Sequence, residues 1–516
     1  MEFTSECAVL MNDPHAVSNP PGAIRPTFLN LWTWFAIAVG VVLRVLSYLR
    51  DRSLWYDETL LALNVLHRSA RELLSPLSYH QASPVGFLLL EKLSSGIFGK
   101  TELALRLAPL VFGITALCLG YRLAILALTP RAVPIAVMLF ALNEPLVYYS
   151  SEVKQYSCDT AVALLVLWTA LRFSRREVCW TSAWKFALLG CLALWFSYPA
   201  AFLLAGTGTV LLFSLWRRKQ WASFGRVGGV VSAWAGSFLL LYLFSLRHLT
   251  QDAVLRDYWR AYFPPVIFPS GGSLWFVVSW FVDRWFALLG QPFTVATIGL
   301  AALFLVGLWS LLQKNTELVW MIGASSLVTV VAACLHRYPL APRLLLFAVA
   351  ISILFVAEGA ARVAGKIVRS SAVTVVFLTA IFAQPVWMAA SNLVAPKNPD
   401  DIRPMFLYIR AHENPGDRLY VYQAAQYQYM YYAELYPERG EAAIGSECGL
   451  NAACYASDLE RLRGASRLWI LISHNVVRDG RDDGSVLLAE LDKMGLRLDE
   501  KRSSGARAYL YDLGKK

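Results

Sequence analysis

The chain has 516 residues, of which 57% are apolar and only 16% charged. That balance excludes a soluble globular protein of this length, which would carry far more charge on its surface. The net charge of +11 does not call for a nucleic-acid partner, because the basic residues crowd into short loops between apolar stretches and follow from membrane topology.

A helix that crosses a bilayer needs about 20 apolar residues, and roughly eleven segments meet that length. They fall near residues 28–48, 103–121, 133–149, 157–171, 185–198, 200–215, 227–246, 293–312, 318–335, 342–360 and 370–390. Two of them meet at Ser197-Tyr198-Pro199. The leading segment, residues 1–27, is polar and proline-bearing, without a short apolar core and small-residue cleavage site, so the first span reads as an uncleaved signal anchor. The fold class expected is a polytopic α-helical membrane protein, with a membrane module over 28–390 and a soluble tail over 391–516.

Orientation follows from basic residues. With the N-terminus cytoplasmic, the inner loops hold Arg172, Arg175 and Arg176, then Arg217, Arg218 and Lys219, then Arg362, Lys366 and Arg369. The outer loops are then 50–102, 150–156, 247–292, 336–341 and everything from 391 onward. Within the first, Thr59 to Leu74 and Pro84 to Phe98 read as helices lying at the interface. Trp55, Tyr56, Trp259, Tyr262 and Trp275 suit head-group depth.

Past Pro396-Lys397-Asn398-Pro399 the chain becomes charged, and its apolar runs shorten to strand length: Arg418 to Tyr422, Arg467 to Ser473 and Ala506 to Tyr511. Helical patterns, Tyr455 to Arg463 and Ser485 to Met494, lie between them. Alternation of this kind predicts a small α/β domain. The Tyr-rich helix from Gln423 to Tyr436 suits a core, an oligomer contact or an acceptor-facing surface, the core being the plainest reading. Cys448 and Cys454 lie close enough for a disulfide in an oxidising compartment, though spacing alone leaves the pairing open. No zinc-like Cys/His array, GxGxxG or Walker loop is present, which argues against an ATP-driven pump.

The candidate site residues gather on the outer face. They are Asp57 and Glu58, His80 and Gln81, the run Glu152, Lys154, Gln155 and Tyr156, and Arg337 with Arg343. A carboxylate here would deprotonate an incoming hydroxyl, while Arg and Lys would stabilise a departing phosphate. Each has a plainer reading. Asp57 suits an N-cap, Glu58 a first-turn helix acid or an acceptor contact, Glu152 and Lys154 a solvated pair at a helix end. Arg343 suits an interfacial anchor, His80 an ordinary loop position, and Arg44 and Arg106 snorkelling side chains.

Four motifs in order carry a resemblance. They are Tyr56-Asp57-Glu58, then Gln81 to Leu93 followed by Leu103 to Pro109, then Tyr148 to Ser157, then Arg337-Tyr338 with Pro342-Arg343. Together, over about residues 28–390, the chain resembles the GT-C integral-membrane glycosyltransferases, near the family 39 protein mannosyltransferases and the lipid A aminoarabinose transferases. The resemblance implies a bacterial inner-membrane enzyme with its tail in the periplasm. It implies a sugar donor on polyprenyl phosphate and a lipid, glycan or protein acceptor. It implies an inverting displacement with Asp57 as general base, and Lys154 and Arg343 facing the lipid phosphate. At one point the chain departs: Ala82 and Ser83 precede Pro84, where the aminoarabinose transferases carry an acid and a lysine. No cofactor is therefore certain, and a divalent metal is left open. Two competing classes are a membrane lipid or solute transporter (or flippase) and a non-catalytic lipid-glycan binding protein. A transporter would place ionisable residues at mid-membrane depth, whereas here they gather at one face.

Overall fold

In hydrocarbon every backbone N–H and C=O must be satisfied within its own segment, so a long apolar run can cross only as a helix. A computed structural model describes residues 26–265, 274–289, 295–367, 371–436, 442–478 and 480–514. Nearly all of the expected cytoplasmic segment 1–27 lies outside them. Among the described residues nine helices are long and apolar enough to cross a membrane, and a tenth crossing is a bent pair. This is a multi-pass membrane protein.

The helices follow the expected order. They are α1 (Pro26–Leu49), α2 (Tyr56–His67), α3 (Val85–Phe98), α4 (Glu102–Ala127), α5 (Ala132–Leu142), α6 (Glu144–Tyr148), α7 (Tyr156–Ser174) and α8 (Trp180–Phe196). Then come α9 (Ala200–Arg217), α10 (Trp221–Leu241), α11 (Ala253–Tyr258), α12 (Leu274–Leu289), α13 (Val295–Lys314), α14 (Thr316–Cys334), α15 (Leu346–Ile367) and α16 (Ser371–Val394). Of the expected eleven spans, 185–198 is the 17-residue α8. At 1.5 Å per residue it reaches about 25 Å, one residue less than α9, the shortest of the nine. Span 133–149 is broken at Asn143, where the axis bends by 58°. Pro145 in the first turn of α6 and the Asn143 side chain, accepting from Leu146 N–H at 3.2 Å, set the new direction.

Packing in the bilayer cannot draw on expulsion of water, so close backbone approach matters. Helices α13 and α15 show it reciprocally. A methyl on Gly307 would strike the Phe355 carbonyl, and one on Gly359 would strike that of Leu303. Two expectations about arginines fail here. Arg44 and Arg106 do not snorkel: each is 1% exposed. Arg44 donates to the carbonyls of Gly40 and Phe140, and Arg106 pairs with Glu58. Arg106 is thus satisfied inside the protein, whereas the Nε of Arg44 has no hydrogen-bond partner among the described residues.

The tail forms a five-stranded sheet in the order β2-β1-β3-β7-β6, from β1 (Arg418–Val421), β2 (Ala442–Ile444), β3 (Leu468–Ser473), β6 (Leu496–Ser503) and β7 (Ala506–Asp512). The first three strands run parallel and the last two antiparallel to their neighbours. A small ribbon, β4 (Val477–Arg478) and β5 (Arg481–Asp482), stands apart. Every residue of β3 is buried, as expected for a central strand covered on both faces. Cys448 and Cys454 are disulfide-bonded.

The Tyr-rich helix, α18 (Gln426–Leu435), comes after α17 (Arg403–His412) and lies against the membrane module. The hydroxyl of Tyr432 takes the Leu54 N–H at 2.9 Å and donates to Glu102 at 2.9 Å. Gln428 donates to the Leu54 carbonyl at 2.9 Å, and Tyr431 to that of Lys100 at 2.8 Å. The helix is thus a seam between tail and membrane module as well as core. It holds the segment that leads into Asp57.

Candidate active site

Helix α2 starts one residue before Asp57. Trp55 occupies the N-cap and Asp57 the second helical position, so the N-cap reading of Asp57 is not the one the structure takes. The Asp57 carboxylate faces Lys154 at 3.1 Å and Arg343 at 2.7 Å, one cation on each oxygen. Burial works to raise its pKa, but the two cations outweigh it and hold the carboxyl below its ordinary range. Asp57 is ionised at neutral pH, yet as a double ion pair it is a weak base.

Three distant segments make this contact. Lys154 comes from the buried turn 152–155 that joins the bent span to α7, closed by Lys154 N–H on the Glu152 carbonyl at 2.7 Å. Its ammonium also donates to Gln81 at 2.8 Å, and burial lowers its pKa against the pull of Asp57. Arg343 lies in the loop before α15. Its second nitrogen donates to Tyr258 at 3.2 Å, and its plane sits over Trp259 at 4.7 Å, a stacking contact open to a guanidinium.

Glu58 is placed elsewhere. Its side chain is 1% exposed and grips Arg106 with both oxygens, at 3.0 and 2.7 Å. It also accepts Val153 N–H at 2.8 Å. Arg106 continues to the carbonyls of Arg52 and Ser53. These bonds tie α2 to α4 and to the Lys154 turn, so Glu58 positions the site and its carboxylate is occupied by protein groups.

The remaining expected residues separate into two groups. Gln81 joins through Lys154, Gln155 donates to the Ala82 carbonyl at 3.4 Å, and Tyr156 packs its ring on Tyr149 at 5.0 Å behind the cluster. Glu152 is buried, and burial together with the Glu58 carboxylate pushes it up to about 7. By contrast His80 is exposed and pairs with Asp252 at 2.8 Å. Arg337 is exposed, with no side-chain ion pair among the described residues. Neither is brought onto Asp57.

Sequence reasoning missed Tyr258, which carried no signal beyond its aromatic neighbours, and passed over Trp259 except as a belt residue. It also missed Glu144, which meets Lys397 of the tail at 2.8 Å. Arg343, Glu144, Tyr149 and Lys397 all line a cavity of about 1200 Å³ whose other walls are mostly apolar, with Leu303 and Ile353 among them. Among the described residues no cluster of three or more His, Cys, Asp or Glu side chains could hold a metal ion.

No protein-family profile matches the sequence, and neither does any curated relative. Solved structures do match. ArnT from Cupriavidus metallidurans bound to undecaprenyl phosphate superposes with a TM-score of 0.52 at 14% identity, over 94% of this chain and 98% of that one. The oligosaccharyltransferase of Archaeoglobus fulgidus in complex with zinc and sulfate gives 0.54 at 14% identity, over 85% and 67%. AglB from the same organism, with an inhibitory peptide and a dolichol-phosphate, gives 0.53 at 13%, over 93% and 74%. The chain has the GT-C fold of these membrane glycosyltransferases.

Proposed function

We propose that this protein is a glycosyltransferase that moves a sugar from a polyprenyl-phosphate donor to an acceptor hydroxyl at the outer face of the cytoplasmic membrane, with inversion. One observation carries the reading: a carboxylate held between Lys154 and Arg343, with that arginine also lining the wide apolar cavity. An isoprenoid chain suits the cavity, and its phosphate would sit where the two cations are. Structures of the same fold contain undecaprenyl phosphate and dolichol-phosphate, which supports a lipid of this class.

The chemistry follows from the charges. An arriving phosphate competes with Asp57 for Lys154 and Arg343. As the cations turn to the phosphate, the carboxylate loses the partners that depress its pKa and becomes a stronger base. Asp57 then takes the proton of the acceptor hydroxyl, whose oxygen attacks the anomeric carbon from the face opposite the phosphate. The carbon–oxygen bond to phosphate breaks, and polyprenyl phosphate leaves with the electron pair, stabilised by the same two cations. No step is assigned to a metal.

The outer face is supported by two observations. Lys154 and Arg343, which both bind Asp57, precede α7 and α15, and the opposite ends of those helices carry Arg172, Arg175 and Arg362. The tail that covers them holds the disulfide, which suits an oxidising compartment. Of the ionisable residues within the spans, Arg44, Arg106 and Asp159 lie near helix ends, and Glu358, midway along α15, is held by Thr129, Ser310 and Lys314, which favours an enzyme over a transporter. The test is transfer from labelled polyprenyl-phosphate sugars in membranes, comparing wild type with Asp57→Asn. Loss of the base should lower the rate about 10²- to 10⁴-fold while the protein stays folded; full activity in the variant rules out Asp57 as base.

A further inference from the structure

Beside Asp57 the first outer loop and the tail together build a wall of aromatic rings. Tyr56 lies flat on His474, which follows β3, with centroids 4.2 Å apart and planes 9° apart. Its edge meets Tyr427 at 5.9 Å, and Tyr427 meets Tyr79 at 4.8 Å. All four are half-exposed. On the same helix as Tyr427, the seam residues Tyr431 and Tyr432 are at most 1% exposed. The wall is therefore not simply part of the docking seam, which buries its rings.

Polar groups border the rings. The imidazole of His474 meets Asp400 at 3.0 Å, and the same carboxylate oxygen accepts the Tyr56 N–H at 3.3 Å. Glu447 is near enough to act electrostatically on both Tyr56 and Tyr427. Lys154 and Arg343 are both taken up by Asp57, so apart from the imidazole the charged side chains at the wall itself are acids, Asp400 and Glu447. A phosphorylated or carboxylated ligand would meet like charge there. A neutral sugar ring offers its C–H face to the aromatic rings and its hydroxyls to the carboxylates.

We propose that this wall, half from the first loop and half from the tail, is the acceptor subsite and takes a neutral carbohydrate, whose hydroxyl it presents to Asp57. The inference rests on Asp57 being the base, and it deepens that reading by naming the acceptor class. It also gives the tail a direct part in recognition, because Tyr427 and His474 come from there.

The test is ligand-observed saturation-transfer NMR on the full-length protein in detergent. The probes are a mixture of neutral di- to tetrasaccharides, a phosphorylated disaccharide and a tyrosine-free hydroxyl-bearing peptide. Binding of undecaprenyl phosphate is measured in parallel. Neutral oligosaccharide contact is expected in the wild type, weakened about tenfold in Tyr427→Ala and again in His474→Ala, with Tyr427→Phe retaining it. Tyr79→Ala tests the wall from the loop side, should a tail variant not fold. Undecaprenyl phosphate binding should be the same in all of them. Preference for the peptide or the phosphorylated sugar overturns the proposal, as does oligosaccharide binding that ignores all three alanine variants. Loss of undecaprenyl phosphate binding in the wild type would instead sink the donor reading, while the oligosaccharide result still decides this one.

Discussion

Asp57 and Glu58 are neighbours in sequence, yet the regions around them are built on opposite principles. The Glu58 bracket is 1% exposed on both partners, and every bond runs between protein groups. The Asp57 cluster is 16% exposed at the carboxylate and 18% at Arg343, and it borders a cavity. A sealed ion pair has no competitor and serves as a fixed strut. A pair at a mouth meets any anion that enters, so its cations are exchangeable. The same residue types thus do a structural job and a chemical one a single position apart.

Three perturbations would break or sharpen that contrast. The largest effect should come from Arg106→Met, which leaves Glu58 charged and buried without its partner. A stability loss of about 3–5 kcal/mol is expected, read as a lowered melting temperature in detergent, with undecaprenyl phosphate affinity unchanged in the protein that remains folded. If instead affinity falls while stability holds, the bracket belongs to the substrate site. Next comes Arg343→Lys, which keeps the charge and loses the planar fork shared by Asp57, Tyr258 and Trp259. Donor affinity should drop about 10- to 100-fold with little change in melting temperature, measured by undecaprenyl phosphate binding. An unchanged affinity would show that the arginine is only an anchor.

The smallest effect concerns Glu152, which lies between the two regions. Its carboxyl rises from the ordinary 4.5 to about 7 on folding. A raised folded value means the folded state holds the proton more tightly. The contribution is therefore complete below about pH 4.5 and is lost as pH climbs through about 7. The wild-type melting temperature should fall across that window, and Glu152→Gln should flatten the profile. A wild-type melting temperature that is level from pH 5 to 8 would contradict the burial assigned to this side chain.

Much of the architecture was legible without coordinates. Most of the spans, the helices at 56–67 and 85–98, and the strands at 418–421, 468–473 and 506–512 follow from apolar length and period, which are local properties. What escaped had no local signature. Strand β6 reads Leu-Arg-Leu-Asp-Glu-Lys-Arg-Ser, an edge strand too polar to stand out. Arg106 looked like an interfacial arginine because nothing in its own helix announces Glu58, 48 residues earlier.

The sequence by itself determined that this is a membrane protein, roughly where it crosses, and that acids and bases collect in the loops of one face. It could not say which acid does what. Successive helical residues point about 100° apart, so Asp57 and Glu58 face different surroundings. Those surroundings are supplied by Arg343, 286 residues away, and by Arg106 on another helix. Only the packing of distant helices could bring one carboxylate to Arg343 at the cavity wall and seal the other inside.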